Sequence, residues 1–229
     1  MRILVLGDTH GHDTWKDIVA KEEFDKVVFL GDYVDSFTIP PDVIKKNLED
    51  LSEYKRKMGK RCVLLYGNHD HSYWNAERCS GYKFHSATDY CRIFKPLIEE
   101  GLMEIVHIEG DIIMSHAGVS EYWLKEVAEL ESPHDITFEK LNDTNAGLDL
   151  LNWNMFTGYD GYGNTISQSP IWIRPQALLN CPLKGWRQIV GHTHLAKCIT
   201  LDGIWFNDKL PEAYIVIEDG EIEFVPYER

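Results

Sequence analysis

The sequence predicts an α/β fold in which two β-sheets pack face to face with helices on their outer sides. In the N-terminal half, three apolar segments each lead into a polar loop and then a helical pattern, which is typical of parallel strands with right-handed crossovers. The C-terminal part alternates apolar and polar residues around Asp-Gly turns, which indicates antiparallel strands. Because no internal repeat, low-complexity tract or linker is found, we expect a single domain over residues 1–229.

The first hundred residues contain three strand–loop–helix units. Each predicted strand is a short, continuous apolar run followed by a glycine, the pattern of a buried parallel strand. The longest helical pattern is amphipathic and stops at Gly59. The predicted strands are residues 3–6, 26–30 and 62–66, and the predicted helices are residues 13–21, 42–58 and 88–100, the last interrupted by Pro96.

Residues 71–90 do not fit this alternation because they are both aromatic and polar. We interpret them as an inserted loop beside the functional site. The loop either contacts substrate or is a surface loop packed by its own rings.

The pattern changes after residue 102. Residues 103–108 and 112–115 predict a hairpin, and the second of these runs leads to His116. An apolar segment at 169–175 carries one arginine, and residues 188–190 form another short strand. The remaining predicted elements are an acidic helix at 121–131, a helical piece at 136–151 within an irregular polar segment at 132–169, and an antiparallel meander from residue 199 onward.

Side chains of the kind that bind metals follow five predicted strands. They are Asp8 and His10, Asp32, Asn68, His116, and His192 with His194. Because ligands bind at the carboxyl ends of strands in open α/β sheets, we expect these side chains to form one site. Taken singly, each carboxylate could have no role beyond capping a loop or helix. Each histidine could likewise be a core residue with its hydrogen bonds satisfied, or a surface residue. Seven nitrogen and oxygen donors exceed one tetrahedral metal and suit two divalent ions that share a carboxylate, with manganese, iron or zinc as candidates.

In this order the five motifs resemble those of the calcineurin-like metallophosphoesterase superfamily. The motifs are Asp8-x-His10, Gly31-Asp32-x-x-Asp35, Gly67-Asn68-His69-Asp70, the isolated His116, and Gly191-His192-x-His194. The resemblance implies a four-layer α-β-β-α sandwich. The roles that it implies are Asp8, His10 and His194 for one metal, Asn68, His116 and His192 for the other, Asp32 as the bridge, and His69 as the catalytic histidine paired with Asp35.

A phosphoesterase mechanism follows from this resemblance. A hydroxide that bridges two metals would attack phosphorus in line, while the cations stabilise charge on the phosphoryl oxygens. Adjacent side chains diverge, so His69 is not a ligand if Asn68 is one; it is then available to protonate the leaving group, with Asp35 orienting its ring. We expect a phosphatase that acts on phosphomonoesters. The alternatives are a phosphodiesterase or nucleotide hydrolase of the same fold, and a non-catalytic metal-binding scaffold.

Two details resemble the phosphoprotein phosphatase branch of the superfamily. Residues 31–35 match a motif that continues there with arginine, but Ser36 follows in this chain. Arg174, in Trp172-Ile-Arg174-Pro, resembles a second arginine of that branch and is predicted to bind substrate phosphate by bidentate pairing. Its alternative role is that of an arginine whose aliphatic stem lies against a buried strand. His194 follows the broader superfamily instead of this branch.

Composition limits the possible partners. A formal net charge of -14 disfavours long nucleic acid, so we expect a small phosphorylated substrate or a phosphopeptide. Five scattered cysteines without a C-x-x-C pair suggest neither a zinc knuckle nor a disulfide framework and favour the reducing cytoplasm. The N-terminus leads directly into the first strand and no apolar run approaches a membrane span, so we expect no membrane association. No oligomeric state is indicated.

Overall fold

The computed structural model describes residues 1–75, 78–153 and 163–227, and it confirms the α/β architecture with two mixed sheets. The buried runs predicted around residues 3–6, 26–30 and 62–66 are all strands. The strands are β1 (Arg2–Leu6), β2 (Lys26–Phe29), β3 (Cys62–Leu65), β4 (Met103–Glu104), β5 (Val106–Glu109), β6 (Ile112–Ser115), β7 (Arg187–Val190), β8 (Ile199–Leu201), β9 (Ile204–Phe206), β10 (Ala213–Glu218) and β11 (Glu221–Pro226).

The two sheets share a design of parallel strands flanked by antiparallel ones. The first sheet has the order β11-β10-β1-β2-β3-β4, in which β1 to β4 are parallel, β10 pairs antiparallel with β1, and β11 pairs antiparallel with β10. The second sheet has the order β5-β6-β7-β9-β8, with β6, β7 and β9 parallel and antiparallel strands at both edges. The carboxyl ends of the parallel strands in each sheet therefore face one edge.

Six α-helices accompany the sheets. They are α1 (Thr14–Lys21), α2 (Pro41–Met58), α3 (Asn68–Ser72), α4 (Ala87–Glu99), α5 (Phe138–Asn142) and α6 (Pro175–Asn180) within the described residues. None of these combines the length and the apolarity that crossing a lipid bilayer requires.

Alternate residues of each strand build separate cores, which is how the layers are held together. Val5 and Val28 of the first sheet meet Met114 of the second in one buried cluster between the sheets. Their neighbours Leu4 and Phe29 point the other way and pack with residues of α1, α2 and α4. On the outer side of the second sheet, α6 packs in a further cluster with residues of β7 and β9. The order helices, sheet, sheet, helices is the predicted sandwich.

Two predictions about strand pairing are wrong. The run predicted as one strand at 103–108 is divided, because β4 pairs with β3 in the first sheet whereas β5 forms the hairpin with β6 in the second. The predicted C-terminal meander is two hairpins, β8–β9 in the second sheet and β10–β11 in the first. Apolar alternation identifies a strand but carries no information about which sheet the strand joins.

Three helix predictions also need correction. The helix predicted at 121–131 ends early in a π-type turn, Trp123–Val127, and Glu129 beyond it has a φ of 54°. The piece predicted at 136–151 is α5 followed by a separate 3-10 turn, Gly147–Leu151. Pro96 does not interrupt α4, which continues through it to Glu99. The rest of the 132–169 segment includes residues 154–162, which lie outside the described residues.

Candidate active site

The strand ends bring most of the predicted ligands together. Asp8, Asp32, Asn68 and His116 are all buried, although each is polar or charged. Two groups of potential metal ligands have their donor atoms within 4.8 Å of one another. The first group is Asp8, His10 and Asp32, and the second is Asp32, His116 and His192. Asp32 belongs to both groups, as the predicted bridge must.

Backbone carbonyls determine which nitrogen carries the proton in two of the imidazoles. His10 Nδ1 lies 2.8 Å from Val34 O, and His116 Nδ1 lies 2.9 Å from Leu30 O. Because a carbonyl only accepts, both Nδ1 atoms donate, and in the neutral rings Nε2 holds a lone pair. His116 Nε2 faces the Oδ2 atom of Asp32 at 3.4 Å. A lone pair on Nε2 would repel the carboxylate oxygen of Asp32. The contact is therefore favourable only if a cation lies between the two atoms or the ring itself is protonated.

Asn68 and His192 bring further potential ligand atoms close to His116 Nε2. Asn68 Oδ1 lies 2.9 Å from His116 Nε2 and 2.9 Å from His192 Nδ1. The backbone N–H of His192 donates to the carboxylate of Asp8 at 3.1 Å, while His192 Nε2 is buried without a hydrogen-bond partner among the described residues. Imidazole, carboxylate and amide oxygen ligands of this kind fit a divalent transition metal ion.

The pKa values of the buried carboxylates and imidazoles depend strongly on one another. Burial would raise the pKa of Asp32, but the imidazoles of His116, His69 and His10 outweigh burial and hold the pKa well below its usual range. Burial opposes the charge of His116, yet the carboxylates of Asp32 and Asp8 raise its pKa to about 9. Burial raises the pKa of Asp8 well above its usual value.

Unfavourable backbone conformations concentrate at the site. Four of the predicted site residues have positive φ angles: His10 (42°), Asp32 (52°), Asp35 (64°) and His192 (63°). This region costs an L-residue roughly 1–2 kcal/mol. Such conformations persist where surrounding structure enforces them, and they cluster at functional sites.

Two motif glycines are explained by the closeness of the carboxylates. A Cβ atom on Gly67 would lie 2.2 Å from Asp32 Oδ1, and one on Gly191 would lie 2.1 Å from Asp8 Oδ1. Only a residue without a side chain lets the carboxylate rest against the backbone there. The glycines that precede Asn68 and His192 are therefore part of the site.

The predicted catalytic pair is in contact. His69 Nδ1 lies 3.0 Å from Asp35 Oδ2, and His69 Nε2 lies 4.0 Å from Asp32 Oδ2. Burial disfavours the charged imidazole, but the carboxylates of Asp32 and Asp35 raise the pKa of His69 to about 9. The other oxygen of Asp35 accepts from the hydroxyl of Tyr73, which itself accepts from the backbone N–H of Lys83 at 2.8 Å.

Among the predicted histidine and aspartate ligands, His194 is the one that the structure does not bring into either group. Its side chain is 69% exposed, and its Nδ1 lies 4.0 Å from Asp208 Oδ2. The side chain of Asp208 is only 13% exposed, and burial raises its pKa. Sequence reasoning missed Asp208, although it follows the end of β9 and so carries the same signal as the other strand-end residues.

Asp70 is a second residue with an unpredicted role. Its carboxylate accepts the backbone N–H groups of Asp32 and Tyr33 at 2.9 Å and that of Gly67 at 3.0 Å. Burial and the nearby carboxylate of Asp32 raise its pKa to about 7. Asp70 thus ties together the loops after β2 and β3, and its place in the Gly-Asn-His-Asp motif was the available signal.

A cavity of about 430 Å³ opens over the site, and its lining includes Asp32, Asn68 and His69. The half-buried Arg174 also lines it and donates from Nη1 to His192 O at 3.3 Å and to Thr193 Oγ1 at 3.1 Å. Burial lowers the pKa of Arg174. Arg174 thus lies in the cavity wall. Its contact with substrate phosphate stays a prediction.

The 71–90 segment is packed by its own rings, as one of the two predicted alternatives has it, and it also borders the cavity, while its contact with substrate stays a prediction. Tyr73 stacks on Tyr82 with ring centroids 4.5 Å apart, and Tyr90 meets Tyr73 edge-on at 5.0 Å, so the segment is packed by its own rings. Arg78 and Cys79 of the same segment line the cavity beside the predicted ligands. Residues 76–77 lie outside the described part of the chain.

The chain is similar to known phosphoesterases in sequence pattern and in fold. The family described as calcineurin-like phosphoesterase matches residues 1–196. A cold-active protein-tyrosine phosphatase of a psychrophilic Shewanella species is similar in structure, with a TM-score of 0.62 and 16% identity, covering 97% of this chain and 77% of that chain. A protein serine/threonine phosphatase from Saccharomyces cerevisiae, described as similar to human phosphatase PP5, has a TM-score of 0.56 and 16% identity, covering 100% of this chain and 81% of that chain. At these identities the likeness shows the fold alone. No curated protein matches the chain significantly.

Proposed function

The chain belongs to the calcineurin-like phosphoesterase family, and on that premise we propose that it hydrolyses phosphomonoesters at a centre of two divalent cations. The observation that carries the proposal is that the carboxylate of Asp32 is shared by two groups of ligand atoms. Manganese, iron and zinc all suit this donor set. The residues that would hold the cations are Asp8 and His10 for one, Asn68, His116 and His192 for the other, and Asp32 for both. His194, the further predicted ligand of the first cation, would have to turn inward from its exposed position to join it.

The residues around the cations have separate tasks in the reaction. When bound, the cations would supply Lewis acidity toward the phosphoryl group and lower the pKa of a water molecule. Arg174 would hold phosphoryl oxygens from the cavity wall. Water adds to phosphorus and loses one proton to the solvent, the ester P–O bond breaks, and His69 Nε2 gives a proton to the departing oxygen and then regains one from the solvent. Asp35 accepts from Nδ1 of the same ring and so keeps Nε2 directed at the cavity.

The proposed substrate is a small phosphorylated molecule or a phosphopeptide, and the proposed location is the cytoplasm. A cavity of about 430 Å³ has the size of a small-molecule site. The net charge of -14 opposes long polyanions. None of the five cysteines, all of which lie within the described residues, forms a disulfide, which supports a reducing compartment.

Two measurements test the proposed function against its alternatives. Protein stripped of metal and reloaded with Mn²⁺ should hold close to two ions per chain and should hydrolyse p-nitrophenyl phosphate faster than bis(p-nitrophenyl) phosphate. Faster hydrolysis of the bis ester would identify a phosphodiesterase instead. Bound metal without hydrolysis of either ester would identify a scaffold, and absence of bound metal would contradict the proposed centre.

Replacing Tyr73 with phenylalanine should lower kcat about 10-fold with little change in KM or metal content. The buried carboxylate of Asp35 would lose the hydroxyl that holds its second oxygen, and the ring of His69 would be less well oriented. Tyr90→Phe is the matched control, because the Tyr90 hydroxyl donates to Pro41 O and not to Asp35. Equal activity of both variants would remove Tyr73 from the catalytic arrangement.

A further inference from the structure

The side-chain amide of Asn68 has two ends of nearly equal shape, and only its oxygen can bind a cation. Oδ1 lies against two imidazole nitrogens, His116 Nε2 and His192 Nδ1. Because the two ends are nearly the same in shape, packing alone does not select the orientation that turns the oxygen toward these nitrogens. The orientation that binds a cation therefore has to be held from the nitrogen end of the amide.

The sulfur of Cys79 occupies that position. Asn68 Nδ2 donates to Cys79 Sγ at 3.3 Å, and Cys79 Sγ lies 3.2 Å from the backbone oxygen of Asn68, to which its S–H donates. Ser72 fixes the thiol in turn, because its hydroxyl donates to Sγ at 2.8 Å and accepts the backbone N–H of Cys79 at 3.1 Å. With its proton directed at the backbone, the sulfur faces the amide as an acceptor, which suits an NH₂ group and repels an oxygen.

Resting on the proposed function, we propose that Cys79 is a positioning residue that keeps the Asn68 amide oxygen directed at the second cation. Cys79 lines the cavity itself but acts through Asn68 and not on the substrate. Groups that orient metal ligands in this way typically affect metal affinity 10- to 100-fold. The effect belongs to the cation held by Asn68, His116 and His192, and not to the one held by Asp8 and His10.

The test is a Mn²⁺ titration of the full chain, by calorimetry and by electron paramagnetic resonance. Cys79→Ala should weaken one of the two Mn²⁺ binding steps at least about 10-fold, while the other step stays within about 2-fold. Cys79→Ser keeps a polar acceptor and should stay within about 3-fold of the wild-type protein at both steps. Cys91→Ala is the control for loss of a half-buried thiol elsewhere. Should Cys79→Ala fail to fold, Cys79→Val keeps the bulk without the acceptor and should show the same selective weakening.

A second background separates orientation from general packing. Asn68→Asp has an oxygen at either end, so the orientation of the group no longer matters. Adding Cys79→Ala to Asn68→Asp should therefore cause no further weakening beyond about 2-fold. The same loss in both backgrounds, or wild-type affinity of Cys79→Ala, would overturn the role of Cys79. Absence of Mn²⁺ binding by the wild-type protein would instead overturn the proposed function.

Discussion

Replacing His69 with asparagine should lower kcat at least about 100-fold while the protein keeps its full metal content. In the proposed mechanism His69 Nε2 protonates the leaving oxygen, and Asp35 Oδ2, 3.0 Å from His69 Nδ1, orients the ring. Asparagine provides no comparable acid. His69 belongs to neither group of ligand atoms, so its loss should not release a cation. Steady-state kinetics and metal analysis of the same preparation provide the measurement.

The choice of substrate sharpens this experiment. p-Nitrophenolate leaves readily without a proton, whereas an alkoxide does not, so His69→Asn should impair hydrolysis of an alkyl phosphate more than hydrolysis of p-nitrophenyl phosphate. His85→Asn is the control, because His85 is exposed and absent from the cavity lining. Unchanged turnover, or an equal loss for both substrates, would remove His69 as the general acid.

Replacing Asp32 with asparagine should reduce turnover at least about 1,000-fold and weaken the binding of both cations. The carboxylate is the member common to the two ligand groups, and its negative charge faces three imidazoles. Asparagine retains an oxygen that can still accept the backbone N–H of His69, which the Asp32 carboxylate accepts at 2.9 Å. The substitution therefore removes charge with little change in shape.

Asp8→Asn provides the comparison that makes this result specific. Asp8 belongs to the first group only, so this variant should lose one cation and keep the other. Metal content measured after dialysis should accordingly fall further for Asp32→Asn than for Asp8→Asn. Two tightly held ions in Asp32→Asn would contradict a shared carboxylate.

The strand-end motifs could be found from sequence because each is a local pattern. Around Asp32, for example, an apolar run predicts the strand, a glycine marks the turn, and the carboxylate follows at once. Because the carboxyl ends of the parallel strands lie at one edge of the sheet, the polar side chains that follow them come together there. The four-layer architecture required the resemblance to known motifs in addition, since apolar alternation alone fits several arrangements of two sheets.

The missed features depend on contacts between distant parts of the chain. β4 and β5 look like one strand because only Ile105 separates them, and the choice of sheet is made by strands far away in sequence. Asp208 is not predicted as a site residue because it follows a strand of the predicted C-terminal meander, away from the parallel strands whose ends mark the site. Tyr73 and Cys79 lie in a segment without periodicity, so nothing local shows that one meets Asp35 and the other Asn68.

The positive φ angles of His10, Asp32, Asp35 and His192 have a thermodynamic consequence. Together they work against folding by roughly 4–8 kcal/mol, comparable with the entire net stability of many domains. A chain optimised for durability alone would place glycine at these four positions and would lose its chemistry. Cations that bind only the folded chain would shift that balance back by mass action. On the proposed function, the metal-free protein would therefore be the less stable form, and the supply of metal ions would govern its lifetime as well as its activity.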